Sequence, residues 1–294
     1  MPVIRVPPFL KERHDHSHWP NILRGRHNCT AIVPGGAKPP AMPMKIAVLQ
    51  TNSPLGNMEL AFCELAQALK AAGAAGAAVL VAPEAYLPGY NHGSIPALAQ
   101  PQTGEWLERV ASLCRDASCG LVLGYAERDG TDVYNAAVAF DAIGAQIAHY
   151  HKIQLYGPRE CSIYRPGDGY TLFDLMGTKA AILICYDVEF APHIAALAAM
   201  GVQIILVPTA NMAPFTHVAS HTVAAMAANY GLSIAYANYC GVEGDLTYVG
   251  GSLIAGPHGE VLAQAGSHPT LLIVDLPTRD AARLSTQALD FRKV

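Results

Sequence analysis

The chain has 294 residues, of which 51% are hydrophobic and only 14% are charged. That balance favours one α/β domain with a large core plus an extension. A formal net charge of −4 gives no basic footprint for nucleic acid or for an acidic membrane surface. No apolar stretch approaches the roughly 18 uninterrupted residues that a membrane span needs, so we expect neither a nucleic-acid partner nor a membrane partner.

The cysteines and the N-terminal residues indicate the cellular compartment of the protein. Seven cysteines are an odd number without paired spacing, which argues against a disulfide framework, and no Cys-x-x-Cys pair indicates a zinc site. The N-terminus lacks the apolar core and small-residue cleavage site of a secretory signal. We therefore expect a cytoplasmic protein.

The first segment, residues 1–43, is rich in proline, histidine, arginine and glycine. It is predicted to be an N-terminal extension that is either disordered or strapped onto a partner subunit. Spaced histidines in residues 14–18 are more often solvated than metal-binding in such an arm, so no metal site is predicted there. Met44, just before the first predicted strand, is an alternative start.

Residues 44–277 form the predicted domain, and 278–294 a C-terminal tail. Helices are predicted around residues 58–69, 107–117, 194–200 and 218–228 from apolar residues at helical spacing. Strands are predicted at residues 45–50, 79–82, 120–124, 133–140, 146–151, 180–185, 202–207, 233–239, 250–255, 261–265 and 271–274. Many strands with fewer helices favour an α/β fold in which helices flank a two-sheet core.

Three of these strands end in residues that carry chemistry. Glu84 follows the first after a proline, Lys152 follows the second where a Gly-Pro loop begins, and Cys185 ends the apolar run 180–185. A strand that runs into a sharp turn exposes a nucleophile at the edge of a sheet. We expect all three side chains to meet at one rim.

A thiol, a carboxylate and an ammonium form a reactive set. A free thiol has a pKa near ~8.5 and needs a base to become the thiolate that attacks a carbonyl. Glutamate can accept that proton, and lysine can stabilise the oxyanion that results. The alternatives are that Cys185 fills the core, that Lys152 is a solvated loop charge, and that Glu84 and Glu160 form salt bridges.

The segments around these residues resemble the three signature segments of the nitrilase superfamily of carbon-nitrogen hydrolases. They are Pro83-Glu84, residues 151–168, and Ile184-Cys-Tyr-Asp187. Their chain order also matches, and the resemblance extends from about Lys45 to about Asp275. Within the superfamily the chain looks closest to 5-aminopentanamidase and related aliphatic amidases.

The resemblance implies roles for five positions. Glu84 would be the general base, Lys152 the oxyanion stabiliser, and Cys185 the nucleophile that forms a thioester. The backbone N–H of Tyr186 would complete the oxyanion hole, and Glu160 would position the substrate and the attacking groups. The resemblance further implies a four-layer αββα sandwich, a homodimer or larger homo-oligomer, and a reaction that requires no metal or organic cofactor.

The residues after the nucleophile narrow the class of substrate. True nitrilases of this superfamily usually have Trp-Glu there, whereas this chain has Tyr186-Asp187. The resemblance thus implies hydrolysis of a small aliphatic primary amide, with an ω-amino amide such as 5-aminopentanamide as the first guess, to a carboxylic acid and ammonia. An N-carbamoyl amide hydrolase with the same triad is one alternative. A binding or assembly module that no longer catalyses is another.

Overall fold

A computed structural model of the protein describes Ile4–Arg5 and residues 44–292. Apart from Ile4–Arg5, the predicted N-terminal extension lies outside the described residues, as does its histidine run. The strands are β1 (Ile4–Arg5), β2 (Lys45–Gln50), β3 (Val79–Val81), β4 (Gln100–Pro101), β5 (Gly120–Asp129), β6 (Asp132–Phe140), β7 (Gln146–His151), β8 (Gly169–Tyr170), β9 (Leu172–Leu175), β10 (Thr178–Ile182), β11 (Ile204–Pro208), β12 (Ser233–Ala237), β13 (Cys240–Glu243), β14 (Leu246–Val249), β15 (Leu253–Ala255), β16 (Val261–Gln264) and β17 (Thr270–Asp275).

Helices connect many of these strands. The α-helices are α1 (Met58–Ala74), α2 (Ile95–Leu98), α3 (Glu105–Ala117), α4 (Gly157–Ile163), α5 (Ala191–Ala199), α6 (Val223–Tyr230) and α7 (Gln287–Asp290). Short 3₁₀ turns lie at Cys185–Glu189 and Ala281–Arg283, and a π-helical turn at Val218–Thr222 leads into α6. Among the described residues, no helix is long and apolar enough to cross a bilayer.

Two mixed sheets form the centre of the domain. Sheet I has the order β17-β2-β3-β5-β6-β7, with β4 beside β5, and sheet II has the order β16-β15-β12-β11-β10-β9. The inner strands β2, β3 and β5 are parallel, as are β10, β11 and β12. Antiparallel strands flank both sets. Parallel strands need crossover connections, and in such folds these place helices over the sheet faces.

Strand β2 shows how the layers are built. Its residues Ile46 and Val48 share a buried cluster with the strands of sheet II, whereas Ala47 and Leu49 share one with α1 and α3. This alternation follows from the two-residue period of a strand, which buries both faces of sheet I. Helices α5 and α6 belong to the cluster that includes sheet II. The predicted α/β fold, a four-layer αββα sandwich, is confirmed.

Several predicted strand ends were wrong. At these ends, side-chain oxygens accept the hydrogen bonds of backbone N–H groups that a neighbouring strand would otherwise accept. The strand predicted at 180–185 ends at Ile182, and Cys185 instead begins a 3₁₀ turn. The strand predicted at 233–239 ends at Ala237, because the backbone N–H of Asn238 donates to Oγ of Ser252 and that of Tyr239 donates to Oδ1 of Asn238. The hairpin β13–β14 and helix α4 were not predicted.

Candidate active site

The predicted meeting of strand ends occurs at one end of the two sheets. Glu84 lies three residues beyond β3, Lys152 directly follows β7, and Cys185 lies three residues beyond β10. The Nζ of Lys152 is 2.6 Å from Oε1 of Glu84. The charges of both groups act on the thiol of Cys185. Sheet I therefore supplies the charged pair, and sheet II the thiol.

Lys152 is fully buried between two carboxylates. Its Nζ donates to Oε1 of Glu84 at 2.6 Å and to Oε1 of Glu160 at 2.8 Å. Burial alone would lower the pKa of Lys152, but Glu160 and Glu84 hold that pKa well above its usual value. The side chain is therefore a fixed ammonium, not the solvated loop charge that the sequence left open.

One carboxylate oxygen of Glu84 accepts hydrogen bonds and the other does not. Oε1 accepts hydrogen bonds from Lys152 and from Nδ2 of Asn135 at 2.7 Å, while Oε2 is buried without a partner in the described residues. Burial raises the pKa of Glu84 to about 7, with Lys152 opposing that rise. A carboxylate with this pKa and an unpartnered oxygen is suited to accepting a proton at neutral pH.

Glycine at position 124 lets the Glu84 loop pack closely against β5. A Cβ at Gly124 would lie 2.8 Å from the Cα of Glu84 and 2.7 Å from the backbone nitrogen of Ala85. Real Cβ atoms do not approach other heavy atoms so closely, so a larger residue at 124 has to displace the loop. Ala85 itself has a φ of 44°, in the left-handed region that non-glycine residues adopt rarely.

Cys185 stands at a strained turn that Asp187 holds in place. Its φ is 45°, a conformation that persists only where the surroundings enforce it. The buried carboxylate of Asp187 accepts bonds from Ile184 N at 3.0 Å, the hydroxyl of Tyr150 at 2.8 Å and Gln154 N at 2.7 Å. Asp187 thus ties the cysteine turn to the segment on either side of Lys152.

The thiol of Cys185 needs a base. Burial raises the pKa of Cys185 well above its usual value, and the Glu84 carboxylate adds to that rise while Lys152 opposes it. The resting thiol is therefore protonated. A nearby group that accepts its proton is a requirement for attack on a carbonyl.

Glu160 lies in α4 and is held by three donors. Lys152 Nζ and the hydroxyl of Tyr90, at 2.6 Å, donate to Oε1, while the backbone N–H of Tyr156 donates to Oε2 at 2.9 Å. The carboxylate fixes the direction of the lysine side chain. The structure thus brings Glu84, Lys152 and Glu160 into one buried network beside Cys185.

A small pocket opens onto Cys185. Its volume is about 210 Å³. Apart from Cys185, Tyr186 and Glu189, the lining comes from three segments, 86–94, 156–164 and 210–217. The lining residues are Tyr90, Tyr156, Cys185, Tyr186, Glu189, Asn211, Met212, Phe215 and His217.

The side chains that line the pocket are largely aromatic and include one carboxylate. The ring of Tyr156 contacts those of Tyr186 and Phe215 edge to face, with centroids 5.3 and 5.9 Å apart. Glu189 is half-buried, and its carboxylate makes no hydrogen bond to the described residues, although the charge of His217 acts on it. Burial raises the pKa of Glu189. This acid is available to a ligand in the pocket.

Sequence reasoning missed four of these residues. Asp187 lies in one of the signature segments but was assigned no role, and Glu189, Asn135 and Tyr90 were not singled out. Asn135 is a polar side chain in the otherwise apolar run of β6, and a buried amide in such a run usually has a specific partner. An amide side chain within an apolar run is therefore the sequence signal that could have identified Asn135.

Comparison with known proteins places this geometry in a family. The carbon-nitrogen hydrolase family matches residues 45–285. A Pseudomonas protein named as an (R)-stereoselective amidase is 32% identical over 73% of this chain and 78% of its own length. A protein of Pseudomonas protegens named as a hydrolase in the pqqF 5′ region is 42% identical over 66% of this chain and 70% of its own length.

Solved structures agree with the sequence match. A double mutant of an amidase from Nesterenkonia, in complex with acrylamide, superimposes with a TM-score of 0.77 at 32% identity, covering 87% of this chain and 97% of that one. The two sheets and their flanking helices are therefore shared with a known enzyme over nearly its whole length. The match of the family over residues 45–285, with relatives above 30% identity, shows that this chain belongs to the carbon-nitrogen hydrolase family.

Proposed function

We propose that the protein hydrolyses a small aliphatic primary amide to a carboxylic acid and ammonia through a thioester on Cys185. The observation that carries the proposal is the contact between the Lys152 ammonium and Glu84, buried beside a thiol that lines a pocket. Each group of this set has a step that its chemistry suits. Amide hydrolysis by a thiol needs a base, a nucleophile and a donor for the oxyanion.

In the first half-reaction, Glu84 accepts the proton of the thiol as Sγ attacks the amide carbon. The carbonyl oxygen becomes an oxyanion, which Lys152 Nζ and the N–H of Tyr186 stabilise. Glu84 then passes the proton to the amide nitrogen, the C–N bond breaks and ammonia leaves. A thioester on Cys185 remains.

In the second half-reaction, water replaces the ammonia. Glu84 removes a proton from the water, and the hydroxide equivalent attacks the thioester carbon. The same donors stabilise the second oxyanion, the C–S bond breaks and the proton returns to Sγ. A base that serves both halves must gain and lose a proton easily, which a pKa of about 7 for Glu84 supports.

Glu160 is a positioning residue in this proposal. Its carboxylate is the second acceptor of the Lys152 ammonium, and Tyr90 and the Tyr156 N–H donate to Glu160 in turn. A lysine fixed between two acceptors has little freedom, so its charge is pre-organised for the oxyanion. Without Glu160 the ammonium is free to tilt toward Glu84 alone.

The pocket supports a short substrate with an amino group at its far end. A volume of about 210 Å³ is below the range typical of drug-sized ligand sites. The Nesterenkonia amidase of known structure was captured with acrylamide, a three-carbon primary amide. The half-buried Glu189 carboxylate and the rings of Tyr156 and Phe215 favour an ammonium group. An ω-amino amide such as 5-aminopentanamide is short and carries an ammonium group at the end opposite the amide.

A panel of primary amides tests the proposal. Ammonia and carbon dioxide would be measured together for 5-aminopentanamide, butyramide, amino-acid amides and N-carbamoyl amino acids. We expect ammonia without carbon dioxide, with 5-aminopentanamide among the preferred substrates. Added hydroxylamine should divert product to the hydroxamate, as a thioester requires.

Two other results would overturn the proposal. Carbon dioxide released with ammonia from N-carbamoyl substrates alone would instead identify a carbamoyl hydrolase. No turnover of any amide in the panel by the folded protein would indicate a binding or assembly module.

A further inference from the structure

A second cluster of reactive side chains lies on the face of sheet I that points away from sheet II. His149 and His151 are alternate residues of β7, and Tyr150 between them belongs to the core cluster that includes sheet II. Successive residues of a strand point to opposite faces, so both histidines point away from that core. Glu127 of β5 reaches them across the intervening strand β6.

The two imidazoles converge on the same carboxylate. Nε2 of His149 contacts Oε2 of Glu127, and Nε2 of His151 lies 3.1 Å from Oε1. One ligand atom from each of the three residues lies within 4.8 Å of the others. Glu127 is buried, whereas the side chains of His149 and His151 are 21% and 24% exposed.

One nitrogen of the cluster has no hydrogen bond. Nε2 of His151 is buried and unpartnered in the described residues, although it is near enough to Glu127 Oε1 for a bond. The two atoms are close but not aligned as donor and acceptor. A buried imidazole nitrogen without a hydrogen bond, close to a carboxylate and a second imidazole, is in a position to ligate a metal ion.

We propose that Glu127, His149 and His151 bind a divalent transition-metal ion of the Zn²⁺ class. Two imidazoles and one carboxylate are a common zinc ligand set, with bonds of about 2.0–2.2 Å in tetrahedral geometry. Such bonds separate neighbouring ligand atoms by about 3.3 Å, close to the 3.1 Å between His151 Nε2 and Glu127 Oε1. The partial exposure of both rings leaves the fourth position to water.

Neighbouring groups already orient the ligands. The hydroxyl of Tyr125 donates to Oε2 of Glu127, which leaves Oε1 for the ion. The ring of Tyr134 stacks on that of His151, with centroids 4.0 Å apart and planes 8° from parallel. Such supporting contacts are typical of metal sites because they fix the ligand rings. The ion joins β5 to β7 and takes no part in the amide reaction.

The test is zinc binding by the full-length chain without an affinity tag. Protein stripped with a chelator would be dialysed against Zn²⁺, and the metal per chain measured by atomic emission. The variants are His149→Gln and His151→Gln, each checked by circular dichroism. A matched control carries glutamine at His14, His16 and His18 together, because that run is the chain's other histidine cluster.

We expect one zinc per chain in the native protein and in the control, and binding at least about tenfold weaker in each variant, because loss of a ligand costs no less than loss of a supporting contact. Zinc should also raise the melting temperature of the native protein and the control but not of the variants. Native protein that binds no zinc would overturn the proposal. So would zinc retained by both variants and lost from the control.

Discussion

Lys152 donates to Oε1 of Glu84 at 2.6 Å, so the proposed base and the proposed oxyanion donor are in direct contact. Only Oε1 of Glu84 takes part, and Oε2 stays without a partner in the described residues. The lysine thus anchors the carboxylate while leaving one oxygen for the proton of Cys185.

The rate should depend on pH through Glu84. Burial raises the pKa of Glu84 to about 7, and the base must be ionised to accept the thiol proton. We therefore expect kcat/KM for a primary amide to fall as pH drops below about 7 and to level off above it. Initial rates from about pH 5 to 9 test this, with circular dichroism to confirm folding. A rate that stays constant down to pH 5 would exclude Glu84 as that base.

Replacement of Lys152 by methionine should lower both the rate and the stability. The change leaves Glu84 and Glu160 as buried carboxylates without their cation, which costs on the order of 3–5 kcal/mol of unfolding free energy. Burial raises the folded-state pKa of Glu84 above its usual value, and the loss of Lys152 removes a charge that opposes this rise. Stability should then decline as pH rises, so the loss is larger near pH 8 than near pH 5.

Urea unfolding at both pH values measures this effect. The matched control is Lys45→Met, which removes the partly exposed pair with Asp275 at 2.8 Å and should cost no more than about 1 kcal/mol. Equal losses for the two variants would mean that the buried network contributes no more than a surface pair.

Replacement of Gly124 by alanine should reduce kcat, although residue 124 is not among the residues that line the pocket. The new Cβ would lie 2.8 Å from the Cα of Glu84, so the loop that carries the base has to move. Overpacking of this kind costs about 1–3 kcal/mol of stability. Gly93→Ala is the control, since a Cβ there has no heavy atom within 4 Å. Kinetics and unfolding of both variants check the prediction, and an unchanged kcat in Gly124→Ala would contradict it.

Replacement of Glu189 by glutamine should weaken binding of a charged substrate selectively. We expect KM for 5-aminopentanamide to rise about tenfold, equivalent to about 1.4 kcal/mol, with little change for butyramide, because only the first carries an ammonium. Glu59→Gln, which alters an exposed carboxylate paired with Arg109, is the control. Equal effects on the two amides would remove Glu189 as the ammonium partner.

The sequence predicted the parts of the site that follow from strand ends. Glu84, Lys152 and Cys185 each come just after an apolar run, and sheet geometry brings such positions together. Asn135 and Asp187 were not predicted, because their partners are set by tertiary packing. Asn135 bonds to Glu84, 51 residues away, and Asp187 to Tyr150, 37 residues away.

The homodimer or larger homo-oligomer and the cytoplasmic location depend on features that a single chain does not contain, and they stay predictions. The assignment of residues 278–294 as a C-terminal tail also stays a prediction. The strand that was expected to run to Cys185 shows the limit of periodicity, since Asp187 accepts the Ile184 N–H and turns the backbone away from the sheet. An apolar pattern continues through such a turn because the turn is buried too.

The most direct test of the account is ammonia release from 5-aminopentanamide and butyramide by the native protein, Cys185→Ala and Cys161→Ala. Cys161 is an exposed free thiol in α4, close in sequence to Glu160, and serves as the matched control. We expect turnover by the native protein and by Cys161→Ala, and none by a folded Cys185→Ala. Ammonia release that survives in Cys185→Ala would contradict the central claim that this thiol is the nucleophile.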